Sequence, residues 1–441
     1  MHTKIPCSFS VILLLAVFLC SCNKVKGPDG STISNITITA LKPAHGPFDT
    51  IDTLVGKNFD QIPSLDSVFL NGKKMTIISR SPEQVIVKIP AMAGTGNIDI
   101  WYEGKLIQGP VFNYDSTLLV TTLAGSNDAG AADGQGLDAR FNQPGGIAVD
   151  KAGNIYVVDM NNESIRKITS DGKVTTLAGP LTGARDYVDG MGAIARFSAP
   201  WGLTIDTSGF LYVGDQYNYR VRKVSPAGLA TTFAGSAWDG IPYHAGTDGD
   251  ASIATFDVPS GVASDLHGNI YVADMYNNKI RKITPGGTVS TLAGGDYYHY
   301  GQQDGPAATA RFFSPSAVAA DLSGNIYVAD GGNYLLRKIA PDGTVSTLLG
   351  PMEPSITGVD QLFSAGALAT DKAGNLFFSI SVGIIKMTPD RKIIRYAVGG
   401  IGEVDGPVQI ATFRSIGGIA VDNSGNLYIT DHNKIRKIGW Q

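Results

Sequence analysis

Short apolar runs, each bounded by glycine, asparagine, aspartate or serine, follow one another along almost the whole chain. The segments NIYVVD at 154–159 and NIYVAD at 269–274 are two examples. Such runs, separated by turn-forming residues, are typical of β-strands. The pattern therefore predicts an all-β protein.

From residue 120 onward the apolar runs form a repeat. A run that ends in aspartate occurs six times, with successive aspartates 50 to 59 residues apart: Asp150, Asp206, Asp265, Asp321, Asp371 and Asp422. In each copy a turn and further short runs follow, so that one unit contains four strands. Six units of four short strands are the pattern of a six-bladed β-propeller.

The two ends of this region are incomplete units. Residues 120–123, VTTL, match a fourth strand that no first three strands precede. Residues 435–438, IRKI, match a third strand that no fourth strand follows. The sequence therefore predicts that these two segments pair in one blade and close the ring, which leaves no unpaired sheet edge there.

Residues 33–115 contain an earlier series of short apolar runs, which turn signals such as Asn71-Gly72 separate. Strands at this spacing predict an immunoglobulin-like β-sandwich. The segments PAHG at 43–46, GKNF at 56–59 and VFNY at 111–114 resemble the IPT/TIG family of immunoglobulin-like domains. Although some members of that family contact DNA, a spacer or docking role is expected here.

Residues 116–441, the predicted propeller, resemble the NHL-repeat family. The resemblance rests on ARF at 139–141, PGGIAVD at 144–150 and NIYVAD at 269–274, together with their copies in other units. It implies the six-bladed fold. It implies no function by itself, because propellers support many unrelated chemistries.

The first 21 residues have the pattern of an export signal. Lys4 precedes the apolar run VILLLAVF at 11–18, which is too short to span a bilayer as a helix. The following LCSC at 19–22 resembles the lipobox of bacterial lipoproteins, which implies cleavage before Cys22 and lipidation of its thiol. Residues 22–32 would then be a polar tether. We expect an exported lipoprotein of the outer membrane, facing either side.

Composition narrows the function classes. The 441 residues carry a formal net charge of -4 and include 54 glycines, which suit a turn-rich all-β chain. Nucleic-acid binders usually carry a basic surplus, so no nucleic-acid partner is expected. All three cysteines lie in the first 22 residues, so the mature chain would have no disulfide and no cysteine metal site.

Aspartate at the end of the second strand and arginine in the third strand recur in five of the six units. The aspartates are Asp159, Asp215, Asp274, Asp330 and Asp431, and the arginines are Arg166, Arg222, Arg281, Arg337 and Arg436. They could form a catalytic ring, but in the fifth unit Ile380 and Ile385 replace both partners together. Because removing one partner alone would strand a buried charge, paired replacement favours structural ion pairs.

Candidate catalytic and metal-binding residues are few. His244, His267, His299 and His432 lack the spacing of metal ligands. An Asp-Gly pair occurs in five units, but one carboxylate does not make a calcium loop, and a turn is expected instead. Four asparagines, three residues after the recurring aspartates, are expected to bond their own backbone in turns. Neither metal nor cofactor is expected.

Aromatic residues concentrate in loops that share one face. In an antiparallel blade, the connections between the second and third strands and between successive blades lie on the same side. These loops and the adjoining strand hold the candidate ligand-binding residues Trp201, Tyr217, Trp238, Tyr243, Tyr276, Tyr297, Tyr298, Tyr300 and Tyr334. Exposed aromatic rings can stack on flat faces such as those of sugar rings. Packing of these rings onto the propeller rim is the structural alternative.

Two classes of function remain open. The first is a non-catalytic binding lipoprotein that captures a glycan or another nutrient for an outer-membrane transport complex. The second is a hydrolase or lyase at the same face, since related six-bladed folds include lactonases and streptogramin lyases. The motifs of those enzymes do not match this chain residue by residue. A protein-binding scaffold is a third and weaker hypothesis, and the scarcity of acid, base and metal residues favours binding.

Overall fold

The computed structural model describes residues 25–26, 32–33, 36–46, 50–62, 67–90, 93–102, 105–114, 117–180, 185–236, 246–295, 298–350, 367–380 and 383–440. Backbone contacts divide the chain into two compact units, one ending at Thr117 and the other comprising Leu118–Trp440. Within these residues the regular structure is β-strand and single turns of 3-10 helix, so the predicted all-β class is confirmed. No helix among them is long and apolar enough to cross a bilayer.

The first unit contains two sheets that enclose one apolar core. Its strands are β1 (Val25–Lys26), β2 (Thr32–Ile33), β3 (Thr37–Lys42), β4 (His45–Gly46), β5 (Ile51–Lys57), β6 (Val68–Leu70), β7 (Lys73–Lys74), β8 (Thr76–Arg80), β9 (Gln84–Lys88), β10 (Gly96–Tyr102) and β11 (Lys105–Tyr114). One sheet has the order β3-β5-β9-β8 and the other the order β4-β11-β10-β6-β7. Alternation along β10 buries Ile98 and Ile100 while Trp101 faces outward, as expected of a sandwich.

The second unit is the propeller, and its blades 1 to 3 follow β12 (Leu118–Gly125). Blade 1 contains β13 (Gly134–Gln135), β14 (Pro144–Val149), β15 (Ile155–Asp159), β16 (Ser164–Ile168) and β17 (Lys173–Ala178). Blade 2 contains β18 (Gly190–Met191), β19 (Pro200–Ile205), β20 (Leu211–Asp215), β21 (Arg220–Val224) and β22 (Leu229–Ala234). Blade 3 contains β23 (Gly249–Asp250), β24 (Pro259–Ser264), β25 (Ile270–Asp274), β26 (Lys279–Ile283) and β27 (Thr288–Gly294).

Blades 4 to 6 complete the ring. Blade 4 contains β28 (Gly305–Pro306), β29 (Pro315–Ala320), β30 (Ile326–Asp330), β31 (Leu335–Ile339) and β32 (Thr344–Leu349). Blade 5 contains β33 (Leu368–Thr370), β34 (Leu376–Ile380), β35 (Gly383–Met387) and β36 (Ile393–Val398). Blade 6 contains β12 with β37 (Gly406–Pro407), β38 (Ile416–Val421), β39 (Leu427–Asp431) and β40 (Lys434–Trp440). The innermost strands of successive blades contact each other in a closed cycle, which confirms six blades within the described residues.

Blade 6 is assembled from both ends of the propeller. β12 lies between β37 and β40, with Val120 opposite Ile438 and Thr122 opposite Arg436. The predicted pairing of these two segments is therefore confirmed. The closure leaves the propeller with no unpaired inner or middle strand at its junction.

The short turns of each blade lie on one face, which we call the short-turn face. There the Asp150 carboxylate accepts the backbone N–H groups of Ala152 and Asn154, at 2.9 and 2.8 Å. The aspartates that mark the other five repeats make the same turn. The opposite face, which carries the connections from second to third strand and between blades, is the long-loop face. Repeat aspartates therefore close turns and lie away from the long loops.

A fully buried arginine lies within five of the blades. In blade 3, Arg281 contacts Asp274 from the second strand and Asp248 from the preceding long loop, each at 2.7 Å. Two backbone carbonyls of that loop accept further N–H groups, and the guanidinium carbon lies 5.1 Å from the centre of the Phe256 ring. The same arrangement recurs around Arg166, Arg222, Arg337 and Arg436. These groups are structural ion pairs, as the sequence predicted.

Two sequence-based expectations about neighbouring residues need correction. The Asp-Gly aspartates do more than form turns, because Asp248 also accepts the N–H and hydroxyl of Thr291 in the fourth strand. The asparagines after the recurring aspartates do not bond their own backbone. Their side-chain amides donate to the aspartate carboxylate three residues earlier, at 2.8 to 2.9 Å, in Asn162, Asn218, Asn277 and Asn333. Each of these aspartate carboxylates therefore accepts hydrogen bonds from the long loop, the following turn and the third strand at once, as Asp274 does.

Blade 5 replaces the ion pair with apolar contacts. Ile380 and Ile385 occupy the aspartate and arginine positions, and both are buried in one apolar cluster. The blade therefore shows that the fold tolerates either a complete pair or none.

We predict that Asp274→Ala lowers the free energy of unfolding by about 3–5 kcal/mol, because Arg281 stays buried after losing one partner. The matched control is the double variant Asp274→Ile, Arg281→Ile, which imitates blade 5 and should lose much less. Chemical denaturation of the purified chain measures both. Equal losses in the two variants, or an unchanged Asp274→Ala protein, would contradict the structural assignment.

Candidate functional site

Six of the nine predicted aromatic residues lie within the described residues. They are Trp201, Tyr217, Tyr276, Tyr298, Tyr300 and Tyr334. Trp238, Tyr243 and Tyr297 lie outside the described residues, as does Cys22. All six belong to the long-loop face. Trp201 is the second residue of the first strand of blade 2, and the other five lie in a turn after a second strand or in the loop before a first strand.

Three tyrosines occupy the connections between second and third strands in adjacent blades. Tyr217, Tyr276 and Tyr334, in blades 2, 3 and 4, are called the tyrosine arc below. Their side chains are 54%, 50% and 51% exposed. Backbone hydrogen bonds hold the turns in place, for example from Tyr217 N–H to the Ser198 carbonyl at 3.1 Å. The rings are thus held on ordered turns while half of each remains open to solvent.

Tyr298 and Tyr300 precede blade 4 in the long loop. Tyr298 is exposed, and the ring of Tyr300 stacks on Phe313 with 4.7 Å between centres and 28° between planes. Tyr300 therefore has a packing partner of its own, although its outer side remains exposed. The pair extends the aromatic surface of blade 4.

The structural alternative holds for a different aromatic residue, Tyr187. The Arg220 guanidinium lies 3.9 Å above its ring, and its hydroxyl is 2.6 Å from the hydroxyl of Thr232. Tyr187 fastens the loop to the rim of blade 2. Tyr217 of the tyrosine arc has a longer contact of this kind, 5.7 Å between its ring centre and the Arg185 guanidinium carbon, and remains more exposed than Tyr187.

A cleft of about 410 Å³ opens on the long-loop face where blades 1, 2 and 6 meet. It is lined by Trp201, Arg414 and His432, with Gln143 and Ser415 beside them, and is called the Trp201 cleft. The ring of Trp201 packs on Gly145, where a Cβ atom would lie 3.2 Å from the ring. The cleft thus combines an aromatic surface with polar and charged side chains.

An acidic residue lies behind the cleft and contacts three basic side chains. The Glu403 carboxylate is 3.0 Å from both His432 Nδ1 and Lys434 Nζ, and 3.5 Å from Arg414 Nη1. Burial alone would raise the pKa of Glu403, but Lys434, His432 and Arg414 outweigh that effect and hold the pKa below its usual value. Glu403 is therefore ionised at neutral pH and places a negative charge beside the imidazole of His432.

Sequence reasoning missed this cluster and treated His432 as isolated. Glu403 comes from the long loop before blade 6, whereas His432 comes from a later turn of that blade. Their contact depends on tertiary structure, so spacing gave no signal. Among the described residues, no group of three or more His, Cys, Asp or Glu side chains could hold a metal ion.

The central channel separates the Trp201 cleft from the opposite face. Its narrow part holds about 40 Å³ and is lined mainly by glycines and aliphatic residues of the innermost strands. A Cβ atom at Gly202 would lie 2.3 Å from the Ser260 carbonyl, so the strands approach too closely for side chains there. Beyond it, a funnel of about 340 Å³ opens on the short-turn face with a mostly aliphatic lining. A space of 40 Å³ holds water but is far smaller than a sugar ring.

Comparison with known proteins supports the division into two folds. Residues 37–117 match the family model of the IPT/TIG domain. Residues 121–186 match the model described as the teneurin NHL domain. Both matches fall in the units described above.

Known proteins resemble the propeller over part of their length. Protein suppressor of quenching 1, chloroplastic, of Arabidopsis thaliana is 29% identical over 280 residues, which cover 58% of this chain and 26% of that protein. Human NHL repeat-containing protein 2 is 27% identical over 253 residues, which cover 49% of this chain and 34% of the relative. The chain thus spans about a third or less of these relatives.

A solved structure of similar extent is an auxiliary nutrient binding protein from Bacteroides ovatus. It is 16% identical, with a TM-score of 0.42, and the alignment covers 92% of this chain and 98% of that one. The sheets, the family matches and the repeat-containing relatives together identify the chain as an IPT/TIG domain followed by a six-bladed propeller of the NHL type.

Proposed function

We propose that this chain is a binding lipoprotein of the cell envelope that captures a glycan or another nutrient on the long-loop face of its propeller. The observation that carries the proposal is the tyrosine arc, three half-exposed rings on ordered turns of adjacent blades. The Trp201 cleft adds an aromatic surface on the same face. Flat rings with polar neighbours are the usual means of holding sugars.

The affinity expected of such a surface is modest. Stacking on a few exposed rings contributes a few kcal/mol at most after ordering costs, which corresponds to dissociation constants in the micromolar to millimolar range. A protein that hands its ligand to an outer-membrane transport complex needs release as well as capture. Modest affinity is compatible with that role.

We predict that the triple variant Tyr217→Ala, Tyr276→Ala, Tyr334→Ala weakens glycan binding by about tenfold or more, because stacking area is lost. A thermal-shift screen against polysaccharides identifies the ligand, and calorimetry then compares the two proteins. The melting temperature should barely change, since the rings are half exposed. The matched control is Leu266→Ala, Leu322→Ala, which removes exposed apolar side chains from the short-turn face.

Three outcomes would count against the arc. Normal binding by the triple variant would place the site elsewhere. A large fall in melting temperature would show that the rings are structural. Loss of binding in the leucine control would point to the short-turn face.

We predict that Cys22→Ser releases the protein from membranes, because the thiol that would carry the lipid is absent. Fractionation of cells expressing each form, followed by detection of the protein, measures the effect. Wild-type-like membrane association of the serine form would remove the lipoprotein claim.

A second candidate function is a hydrolase or lyase acting in the Trp201 cleft. One observation favours it: the Glu403 carboxylate lies 3.0 Å from Nδ1 of His432, which lines the cleft. Such a histidine could serve as a general base for a bound substrate.

We predict that, if the cleft is catalytic, His432→Gln abolishes turnover of lactone or glycan substrates while binding persists. Product formation by chromatography, measured beside calorimetric binding, separates the two effects. Binding without turnover in the wild-type protein would leave the binding function and exclude the catalytic one for those substrates.

A further inference from the structure

The Trp201 cleft forms where the repeat departs from its own pattern. In blades 1, 3, 4 and 6 the second residue of the innermost strand is small: Gly145, Ser260, Ser316 and Gly417. In blade 2 the same position holds Trp201. The glycines on either side of the cleft leave room for the indole ring. Trp201 is therefore a side chain peculiar to blade 2, at a backbone position that these blades share.

A second departure places a cation at the same opening. The residue whose backbone N–H bonds the second-strand aspartate is Asn142, Ser198, Asp257, Phe313 or Arg414 in the five blades concerned. The hydrogen bond requires only the backbone, so the side chain is free to vary. Blade 6 alone among these five presents a guanidinium there.

A third departure is a short turn beside the cleft. In blades 1 to 4, four residues connect the second and third strands, whereas two residues connect them in blades 5 and 6, namely His432 and Asn433 in blade 6. The shorter turn lacks the position that carries a tyrosine in blades 2 and 3. Three departures from the repeat thus meet in one cleft, which a purely structural role does not require.

The charge of the cleft is positive. Arg414, Lys434 and the titratable His432 surround one carboxylate, that of Glu403, whose side chain is only 9% exposed. Arg414 lies 3.5 Å from it, compared with 2.7 to 2.9 Å in the buried arginine pairs, and its side chain is 57% exposed. Its guanidinium therefore retains donors for an incoming anion.

We propose that the Trp201 cleft binds a uronate residue of an acidic glycan, with the sugar ring on Trp201 and the carboxylate at Arg414. The proposal rests on the proposed binding function and narrows its ligand class. The planar fork of arginine pairs with a carboxylate through two parallel hydrogen bonds. Gln143 and Ser415, which also line the cleft, offer polar groups for the ring hydroxyls.

Calorimetry on the full chain compares uronate oligosaccharides with the neutral oligosaccharides made by reducing their carboxyl groups. We expect the acidic form to bind about tenfold more tightly or better, and the preference to fall with added salt. Arg414→Gln should abolish the preference while neutral binding persists, and Arg414→Lys should keep part of it. Arg395→Gln is the matched control, since it removes an exposed positive charge from the fourth strand of blade 5.

The outcomes separate the two proposals. Equal binding of acidic and reduced oligosaccharides, or a preference that survives Arg414→Gln, overturns the uronate site but leaves glycan binding intact. Tighter binding of a sulfated oligosaccharide of matched length would overturn the carboxylate assignment as well. Failure of every oligosaccharide to bind the wild-type chain would contradict the binding function itself. Trp201→Ala should weaken acidic and neutral forms alike.

Discussion

A guanidinium buried in a β-sheet is stable only where its charge is matched and most of its N–H donors find acceptors. Five blades of this propeller meet that requirement in one way, with Nη1 and Nη2 bonded in every case and Nε bonded as well in Arg337 and Arg436. Two aspartates, two loop carbonyls and the face of a phenylalanine surround each arginine. Because these groups come from the second strand, the third strand and the long loop, the arginine fixes all three relative to one another. Asp248 and its counterparts add the fourth strand through a threonine.

The buried ion pairs hold the backbone of the loops and turns, whereas the candidate site consists of side chains that project from them. In blades 1 to 4 the base of the long loop is held by the buried arginine, and the turn after the second strand is held by the asparagine that bonds the same aspartate. The tyrosine arc projects from those turns and is not part of the arginine–aspartate hydrogen bonds. Such projecting side chains can therefore differ from blade to blade, as the tyrosine arc and Arg414 do, without loss of the ion pairs beneath them.

Much of the fold could be predicted from the sequence because it depends on local pattern and repetition. Four main strands per blade, the closure through Val120 and Ile438, and the joint loss of aspartate and arginine in blade 5 all appear in the residues themselves. The two-residue fifth strand of blades 1 to 4 and 6 was not predicted. The site was harder to predict. Trp201 was identified by its type, but its neighbours Arg414 and His432 come from the far end of the chain, and only ring closure brings them together. Likewise, the contact of Glu403 with His432 depends on a shortened turn.

Closure of the ring also determines when the propeller can be completed during synthesis of the chain. β12 is made long before β40, and the two become neighbours only after the intervening strands have been synthesised and arranged. Pairing across so large a sequence separation is slow, because the loop entropy is lost before the contacts form. Until residues 434–440 emerge, the partial propeller presents strands without partners, which are available for pairing with other chains. The propeller can thus be completed only when its last strand has been made.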